Sequence, residues 1–257
     1  MKKIFWVASY PKSGNTWLRF ILARLFFDIS KDEKIWRQVM TTIPDMYLKN
    51  YDIIDAPEIN LPRQGKISFA KTHSSGFPDL KDVENVGFIY IYRHPLDVLV
   101  SGINHAYVME NKSFFHNGCL RSVEELKSDG EINYYAKKFT EELKIESYYK
   151  MSNTWFNNVN TWLNIAEDSN MSIVMKYEDM LEDPIKEIGK LKPFFHITDE
   201  QVKKAVEFSQ KYTNDGGNFF WKKKSQNYKE YLDRESIEMF NAKYGKLLNK
   251  IGYTANI

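Results

Sequence analysis

The most constraining feature of this sequence is a stretch near its start, where an apolar run passes through a short polar loop into a helical pattern. Residues 4–9, IFWVAS, are apolar and rich in aromatic and β-branched types, which is typical of a buried strand. Pro11 and Gly14 mark a turn, and from Thr16 the large apolar side chains recur at helical spacing. The stretch therefore predicts a strand, a tight loop and a helix in direct succession, a unit of α/β folds.

The loop carries groups that suit an anion. The first N–H groups of a helix have no partner inside it, and the helix dipole places partial positive charge there. Lys12 adds a full charge, Ser13 and Thr16 add hydroxyl donors, and Gly14 lets the backbone approach a ligand closely. The Walker order G-x-x-x-x-G-K-[ST] is absent, because Lys12 precedes the glycine. We expect a phosphate site unlike that of nucleotide triphosphatases; for the loop alone, an ordinary βα turn is the alternative.

The composition indicates one soluble globular domain. With 257 residues, 43% hydrophobic and 27% charged, the length favours a single domain over residues 1–257. The net charge of +2 argues against a general nucleic-acid binder, which carries a stronger basic bias. The single cysteine, Cys119, excludes an internal disulfide framework and fits a reducing cytoplasm.

No membrane segment is expected either. No apolar stretch approaches the roughly 20 residues that span a bilayer. Two lysines and a short apolar run at the start resemble a signal peptide, but the run is broken at residues 10–12 and no small-residue cleavage site follows. We therefore expect a cytoplasmic protein without membrane or nucleic-acid partners.

A second strand ends in a lysine and a histidine. Residues 66–71 alternate, with Ile67 and Phe69 on one face, and lead into Lys71 and His73. A neutral histidine accepts a proton near physiological pH, and a lysine beside it stabilises developing negative charge. For this segment alone, a surface histidine on a loop is the alternative.

The clearest buried strand, residues 86–92 (VGFIYIY), stops at Arg93. A helix is predicted to begin at Pro95, so Arg93 lies between the end of a strand and the start of a helix. This is the usual ligand position in an open parallel sheet. Arginine binds phosphate in bidentate fashion, and Ser101 lies on the same helix, where it can donate to the same anion. A structural ion pair for Arg93 and a small residue at a helix contact for Ser101 are the alternatives.

The remaining pattern predicts a third buried strand over residues 171–177, ending at Tyr177 on the side of the other strand ends. His94 and His105 have no chemical pattern around them, and we interpret both as structural. Residues 28–65 are expected to be irregular apart from one short helix, and a Gly-rich turn precedes the aromatic and basic run 219–224. Helices are predicted over residues 34–40, 131–150, 152–166, 183–191, 199–209 and 234–248.

Together, these stretches resemble the family of sulfotransferases that use 3′-phosphoadenosine 5′-phosphosulfate (PAPS). The resemblance runs over residues 4–253 and implies an α/β, P-loop-like three-layer fold, with a central mostly parallel sheet flanked by helices. Four segments carry it: YPKSGNTW (10–17) is similar to the 5′-phosphosulfate loop, KTH (71–73) to the catalytic-base segment, YRHPLDVLVS (92–101) to the 3′-phosphate motif, and YEDM (177–180) to the strand end beside the adenine.

The resemblance implies a role for each of these segments. His73 would take a proton from an acceptor hydroxyl or amine, while Lys12 and Lys71 stabilise the moving charge and Ser101 contributes to the catalytic set. Arg93, Ser101 and Lys222 would hold the 3′-phosphate, with no metal required. The implied PAPS-binding residues are Lys12, Ser13, Gly14, Asn15, Thr16, Trp17, Arg93, Ser101, Tyr177, Phe220, Trp221, Lys222 and Lys223, with Trp17 and Tyr177 bracketing the adenine.

The sequence departs from the family pattern in two places. Asn15 stands where animal cytosolic members usually have Thr, and its amide can also donate to an oxygen. The C-terminal family motif, F-x-R-K-G-x-x-G-D-W, falls on residues 220–228, where its glycines and Trp are replaced and its Arg becomes Trp221. We expect the positive-φ freedom of these glycines to be lost.

Two other functions remain open. A P-loop kinase would bind an ATP phosphate in the same loop, but the Walker order and a clear Mg²⁺ carboxylate after a strand are missing. A nucleotide-binding homologue without activity fits the altered C-terminal motif, whereas the presence of Lys12 and His73 opposes it. The Lys-, Asn- and Ile-rich composition favours a bacterial enzyme acting on a small specialised metabolite, and the pattern does not define the acceptor or the oligomeric state.

Overall fold

The computed structural model of this chain describes residues 1–27, 29, 34–48, 52–61, 64–213 and 222–253. Within them, five strands form one sheet in the order β2-β3-β1-β4-β5. Strands β3, β1, β4 and β5 are parallel, and β2 pairs antiparallel with β3 at one edge. The strands are β1 (Lys2–Ser9), β2 (Glu58–Leu61), β3 (Gly65–Thr72), β4 (Val83–Tyr92) and β5 (Ser172–Lys176).

Helices follow the parallel strands and cover both faces of the sheet. The described helices are α1 (Asn15–Phe26), α2 (Ile35–Thr42), α3 (Pro95–Val108), α4 (Val123–Ser128), α5 (Ile132–Glu142), α6 (Glu146–Ser152), α7 (Trp155–Asp168), α8 (Tyr177–Glu182), α9 (Pro184–Gly189), α10 (Asp199–Thr213), α11 (Tyr228–Tyr231) and α12 (Arg234–Lys250), with a short 3₁₀ turn at Lys112–Phe114. None of the helices in the described ranges combines the length and the hydropathy that a bilayer crossing needs.

The sheet is buried on both faces, which explains why its strands read as apolar runs. Trp6 of β1 packs with the core under α3, α5, α7 and α12. Its neighbours Phe5 and Val7 point to the opposite core, under α1, α2 and α10. The alternation along one strand thus supplies two cores, and the predicted three-layer α/β fold with a mostly parallel sheet is confirmed.

The register brings the strand ends together. Ala8 lies opposite Thr72, Ser9 opposite Ile91, and Tyr92 opposite Lys176. Because all four parallel strands therefore finish at one edge, the segments that follow them meet there. This edge is where open α/β sheets bind ligands.

Several predicted elements differ from those observed. The single helix predicted over residues 131–150 is two helices, because Leu143 adopts a left-handed conformation (φ 49°) that ends α5. The helix predicted from residue 152 begins at Trp155, where the Thr154 side chain accepts from the Asn157 N–H. Sequence patterns missed β2, α4, α8 and α11, which are all six residues or shorter. The Gly-rich turn predicted at 214–218 lies outside the described residues.

Candidate active site

A cavity of about 620 Å³ opens at the edge where the parallel strands end. Its described lining includes six cationic side chains, two carboxylates and two imidazoles. These are Lys12, Arg19, Lys71, Arg93, Lys222, Lys223, Asp45, Asp97, His73 and His105. The sequence-predicted residues Lys12, His73, Arg93, Ser101 and Tyr177 therefore share one cavity, although they come from four different segments.

The loop after β1 forms one wall of this cavity. Lys12 (φ 68°) and Gly14 (φ 98°) both have left-handed backbone, and Gly14 is the N-cap of α1. A Cβ at Gly14 would stand 2.5 Å from the Tyr177 ring, so both the conformation and the space require glycine here. The first turn of α1 has no acidic residue and no side-chain cap, so its N–H groups and its dipole stay available for an anion.

The charge on Lys12 is poorly stabilised by the protein alone. Burial, together with the positive charges of Arg93 and Lys71, lowers the pKa of Lys12 to about 7. A cationic group held among other cations has a depressed pKa until an anion arrives. The cavity therefore favours a negatively charged ligand at this position.

Two predicted loop residues have buried side chains. Ser13 is fully buried, and its Oγ has no hydrogen-bond partner among the described residues. Asn15 donates from Nδ2 to the Val7 carbonyl (3.0 Å) and to Ser9 Oγ (3.2 Å). These hydrogen bonds connect the start of α1 to the end of β1. Any contact of Asn15 with a ligand would therefore come from its backbone N–H.

His73 is held in one tautomer by the end of β1. Its Nδ1 lies 2.7 Å from the Ser9 carbonyl and 3.2 Å from Ser9 Oγ. Because a carbonyl can only accept, Nδ1 carries the proton, and the lone pair of a neutral ring is then on Nε2. Burial lowers the pKa of His73 well below its usual value, and the Lys71 charge lowers it further. The ring is therefore neutral near pH 7.

Lys71 has a partner that the sequence patterns missed. Its Nζ lies 2.5 Å from Asp45 Oδ2, and both side chains are largely buried. Burial lowers the pKa of Lys71 to about 8, although the Asp45 carboxylate raises it. Burial also raises the pKa of Asp45, but the Lys71 ammonium outweighs this effect and the pKa is lowered overall. Lys71 thus faces the cavity as half of an ion pair beside His73.

Arg93 hydrogen-bonds to the backbone and also lines the cavity. It donates from Nη2 to the Lys224 carbonyl (3.0 Å) and from Nη1 to the Lys12 carbonyl (3.4 Å), and Asp97 is 4.0 Å from its Nε. No hydrogen-bond acceptor for this Nε is found among the described residues. Ser101, partly buried on α3, lines the same cavity. The predicted phosphate contacts of Arg93 and Ser101 stay predictions.

The two rings predicted to bracket an adenine contact each other directly. Trp17 and Tyr177 meet edge to face with centroids 6.3 Å apart. The Arg93 guanidinium covers Tyr177 at 4.4 Å, and Lys223 Nζ lies 4.7 Å above Trp17. A bracketed adenine would require these rings to separate, so the bracket stays a prediction.

The segment that begins at Lys222 contacts Arg93 through the Lys224 carbonyl. The alignment that places the motif's Arg on Trp221 places its glycines on Lys223 and Gln226, and both have positive φ (24° and 58°). Both positions therefore have positive φ although their residues lack the conformational freedom of glycine. Asp97 anchors the turn by accepting from the backbone N–H groups of Gln226 (2.8 Å) and Tyr228 (3.0 Å).

The other predicted residues of this segment have different positions. Lys222 Nζ contacts the Tyr231 hydroxyl at 2.5 Å and Glu230 at 3.4 Å while lining the cavity. Lys223 hydrogen-bonds Thr213, and burial lowers its pKa to about 8. Phe220 and Trp221 lie outside the described residues.

The far end of the cavity is mainly apolar. Trp36, Met40 and Leu48 come from the segment around α2, and Met109 and Met151 come from α3 and α6 or their ends. The aromatic-rich sequence predicts that residues 35–51 and 107–115 line an acceptor site; residues 35–48 contribute several of these side chains, and residues 107–115 contribute Met109. His105, which the sequence predicts to be structural, lines this end, as does Tyr148. In the described ranges, no group of three or more His, Cys, Asp and Glu side chains has metal-binding geometry.

Comparison with known proteins agrees with this geometry. Amine sulfotransferase of Oryctolagus cuniculus is 26% identical over 206 residues, 78% of this chain and 59% of that protein. Sulfotransferase 1E1 of Rattus norvegicus is 25% identical over 190 residues (73% and 57%), and flavonol 3-sulfotransferase of Flaveria bidentis is 26% identical over 196 residues (73% and 55%). The chain thus spans less than two thirds of the length of these curated relatives.

Solved structures share the fold. Mouse sulfotransferase SULT7A1 complexed with PAP superposes with a TM-score of 0.58 at 18% identity, over 98% of this chain and 88% of that one. Retinol dehydratase in a complex with retinol and PAP gives 0.62 at 18% identity, over 100% and 84%. The sequence profile of the sulfotransferase domain family matches residues 2–252. This chain therefore belongs to the sulfotransferase domain family.

Proposed function

We propose that this protein transfers a sulfuryl group from PAPS to a hydroxyl or amine of a small-molecule acceptor and releases PAP. The observation that carries the proposal is the shared cavity of Lys12, Arg93 and His73, with the His73 lone pair on the unblocked Nε2 side. Related solved structures are complexes with PAP.

The charges and donors of the cavity fit such a nucleotide. A phosphate monoester carries about −1.5 to −2 charges, and the phosphosulfate adds about two more. The described lining supplies six cations against two carboxylates. The N-terminus of α1 faces the phosphosulfate position, and Ser13 Oγ is a buried hydroxyl without a partner among the described residues. PAPS when bound supplies the sulfuryl group that is transferred.

The residues then have distinct tasks. His73 Nε2 accepts the proton of the acceptor O–H or N–H, and the freed electron pair forms the new bond to sulfur. Lys12 stabilises the electron pair that the broken S–O bond leaves on the phosphate oxygen, and Lys71 stabilises the sulfuryl oxygens. Arg93 and Ser101 position the 3′-phosphate, so the nucleotide is fixed for in-line attack. A bound nucleotide's negative charge raises the pKa of His73 towards a useful value.

The test has two parts. Calorimetry compares binding of PAP with that of ATP, and labelled PAPS is then supplied with a panel of phenols, alcohols and amines. We expect PAP to bind tightly and at least one acceptor class to be labelled. Stronger binding of ATP would support the kinase alternative, and tight PAP binding without labelling of any acceptor would support an inactive homologue. The amine, alcohol and phenol arms also decide between O- and N-sulfation.

Two wider expectations rest on this proposal. The mainly apolar far end of the cavity supports a small organic acceptor, and the exposed, unpaired Cys119 supports a reducing cytoplasmic environment. Fractionation of the producing cell tests the location. The bacterial origin and the specialised metabolite stay predictions.

A further inference from the structure

The Asp45 carboxylate lines the cavity but has no task in the transfer as described so far. Its Oδ2 is 2.5 Å from Lys71 Nζ, and the Asp45 and Lys71 side chains are only 10% and 13% exposed. The other carboxylate of the described lining, Asp97, accepts from the backbone N–H groups of Gln226 and Tyr228. Asp45 is therefore the carboxylate of this lining that is paired with a lysine of the transfer site.

The backbone places this carboxylate in register with the end of β3. The Lys71 N–H donates to the Pro44 carbonyl (2.7 Å), and the Met46 N–H donates to the Lys71 carbonyl (3.2 Å). These bonds form a short parallel bridge in which Asp45 lies opposite Lys71. Asp45 Oδ1 also accepts from the Tyr47 N–H (3.1 Å), so each carboxylate oxygen has a fixed donor.

The same segment reaches the proposed base. The Tyr47 ring lies nearly parallel to the His73 ring, with planes 12° apart and centroids 6.4 Å apart. The Tyr47 hydroxyl is 2.7 Å from Ser74 Oγ, which follows His73 directly. Residues 45–47 therefore lie against both strand-end residues that are proposed to act in the transfer, Lys71 and His73.

The charge of Lys71 depends on the carboxylate. Burial, together with the charge of Arg19, lowers the pKa of Lys71 to about 8 although Asp45 raises it. A buried ammonium that loses its counter-ion loses its proton more readily. A neutral amine has no full charge with which to stabilise the sulfuryl oxygens in the transition state.

We propose that Asp45 is a positioning residue for sulfuryl transfer, which holds the Lys71 ammonium at the end of β3 and keeps it charged for the transition state. The inference rests on the proposed sulfotransferase function. It assigns Asp45 an effect on the transfer step and not on nucleotide affinity, because a carboxylate repels a nucleotide that carries several negative charges.

Asp45→Asn tests the charge with little change of shape, since the amide oxygen can still accept from the Tyr47 N–H. The variant is loaded with labelled PAPS and mixed with the phenol, alcohol or amine that the acceptor panel labels. We expect the single-turnover rate of transfer to fall by roughly 10- to 100-fold. PAP affinity should stay at or above that of the wild type, because an anion has been removed from the cavity.

Asp52→Asn is the matched control. Asp52 Oδ1 accepts from the Ile54 N–H (2.9 Å) in the same kind of turn, but Asp52 is exposed and lies outside the cavity lining. Its replacement should change neither the transfer rate nor PAP affinity. The Tm of each variant reports whether it is folded.

A double-mutant cycle shows whether Asp45 acts through Lys71. In a Lys71→Met background, Asp45→Asn should cause no further loss of the transfer rate. An equal loss with and without Lys71, or an unchanged rate in folded Asp45→Asn protein, overturns the positioning role.

Proton uptake provides a readout that needs no acceptor. The charged and titratable groups that act on Lys71 or are acted on by it are Asp45, Arg19, His73, Lys12 and His105. Without the carboxylate, the pKa of Lys71 should fall in the free protein, and a bound anion should raise it again. Calorimetry at pH 7.5 should therefore show that PAP binding takes up more protons in Asp45→Asn than in the wild type. The excess should disappear when Lys71 is also replaced by Met.

The failures are distinguishable. Wild-type protein that binds no PAP, or that labels no acceptor, overturns the proposed function itself and this inference with it. Active wild-type protein whose proton uptake is the same in Asp45→Asn overturns the role of Asp45 alone.

Discussion

The two ends of the cavity are built in different ways. At the nucleotide end, Lys12, Arg93 and Tyr177 each follow a parallel strand within three residues, so the sheet itself fixes their positions. At the acceptor end, side chains come from α2, α3, α6 and the loop after α2, which are distant in sequence. The first end contains cations with depressed pKa values, such as Lys12, and the second is lined mainly by apolar side chains.

The difference indicates a division of labour. Anion binding at the strand ends uses backbone N–H groups and charges that any sulfuryl donor needs, so substitutions there should affect every acceptor alike. Under the proposed function, the acceptor end selects mainly by shape, so substitutions there should change which acceptor is chosen. His73 lies where the two ends meet.

The largest effect is expected at this meeting point. His73→Ala removes the Nε2 base but leaves the strand-end cations in place, so turnover should fall by about 10²–10⁴. PAP affinity, measured by calorimetry, should stay close to wild type. His116→Ala, a histidine outside the cavity lining, is the matched control and should retain turnover. Equal losses of binding and turnover in His73→Ala would show that the ring supports the nucleotide end rather than proton transfer.

The low pKa of His73 adds a pH criterion. Since the ring is neutral well below pH 6.5, its protonation in the free protein should reduce kcat/KM only in the acid range. A fall of kcat/KM already at pH 7 that disappears in His73→Ala would contradict the buried, neutral ring.

A smaller but selective effect is expected from Arg93→Ala. Loss of a charge-assisted phosphate contact should weaken the binding of PAP by roughly 10- to 100-fold. The binding of adenosine 5′-phosphosulfate, which lacks the 3′-phosphate, should weaken little. Arg93→Lys keeps the charge but lacks the planar guanidinium, so its affinity for PAP should lie between those of the wild type and Arg93→Ala. If the affinities for both nucleotides fall equally, Arg93 acts mainly by holding the protein backbone through the carbonyls of Lys12 and Lys224. The nucleotide end would then depend on Arg93 for its structure and not for a 3′-phosphate contact.

The same contrast explains what the sequence could reveal. Each strand-end residue follows a strong local pattern in the sequence. The buried strand before Arg93 and the turn around Gly14 therefore predicted that these residues lie at one edge of the sheet. The acceptor end has no such pattern. His105 reads as one more residue of an amphipathic helix, and only the packing of α6 against α3 brings Tyr148 to it.

The ion pair of Lys71 shows a similar limit. Asp45 lies in a segment with Pro44 and scattered charge, which reads as irregular chain. Its position depends on backbone hydrogen bonds of the flanking residues with β3: the Lys71 N–H donates to the Pro44 carbonyl (2.7 Å), and the Met46 N–H donates to the Lys71 carbonyl (3.2 Å). Such a long-range pairing leaves no periodicity in either segment. The positive φ angles of Lys223 and Gln226 could not be predicted for another reason, since neither residue type indicates positive φ.

The smallest expected effect concerns the charge of Lys12. Its pKa of about 7 in the free protein should rise when an anion binds, so PAP binding takes up a proton above pH 7. Affinity should then fall with rising pH from about 7, by at most tenfold per pH unit for one proton. The sign follows because the bound state holds more protons than the free state in this window. Lys71 and Lys223, with pKa values of about 8, add a smaller share of the slope at pH 7.5 and a larger one above pH 8.

Calorimetry at pH 7.5 in two buffers of different ionisation enthalpy measures this proton directly. Lys12→Met should abolish most of the uptake between pH 7 and 8 and weaken PAP, whereas Lys203→Met, at an exposed position of α10, should change neither. Proton uptake that persists in Lys12→Met would assign the titration to Lys71 or Lys223. If Lys71, beside His73, carries the titration, the two ends of the cavity are electrostatically coupled rather than separate, whereas a titration of Lys223 would stay within the nucleotide end.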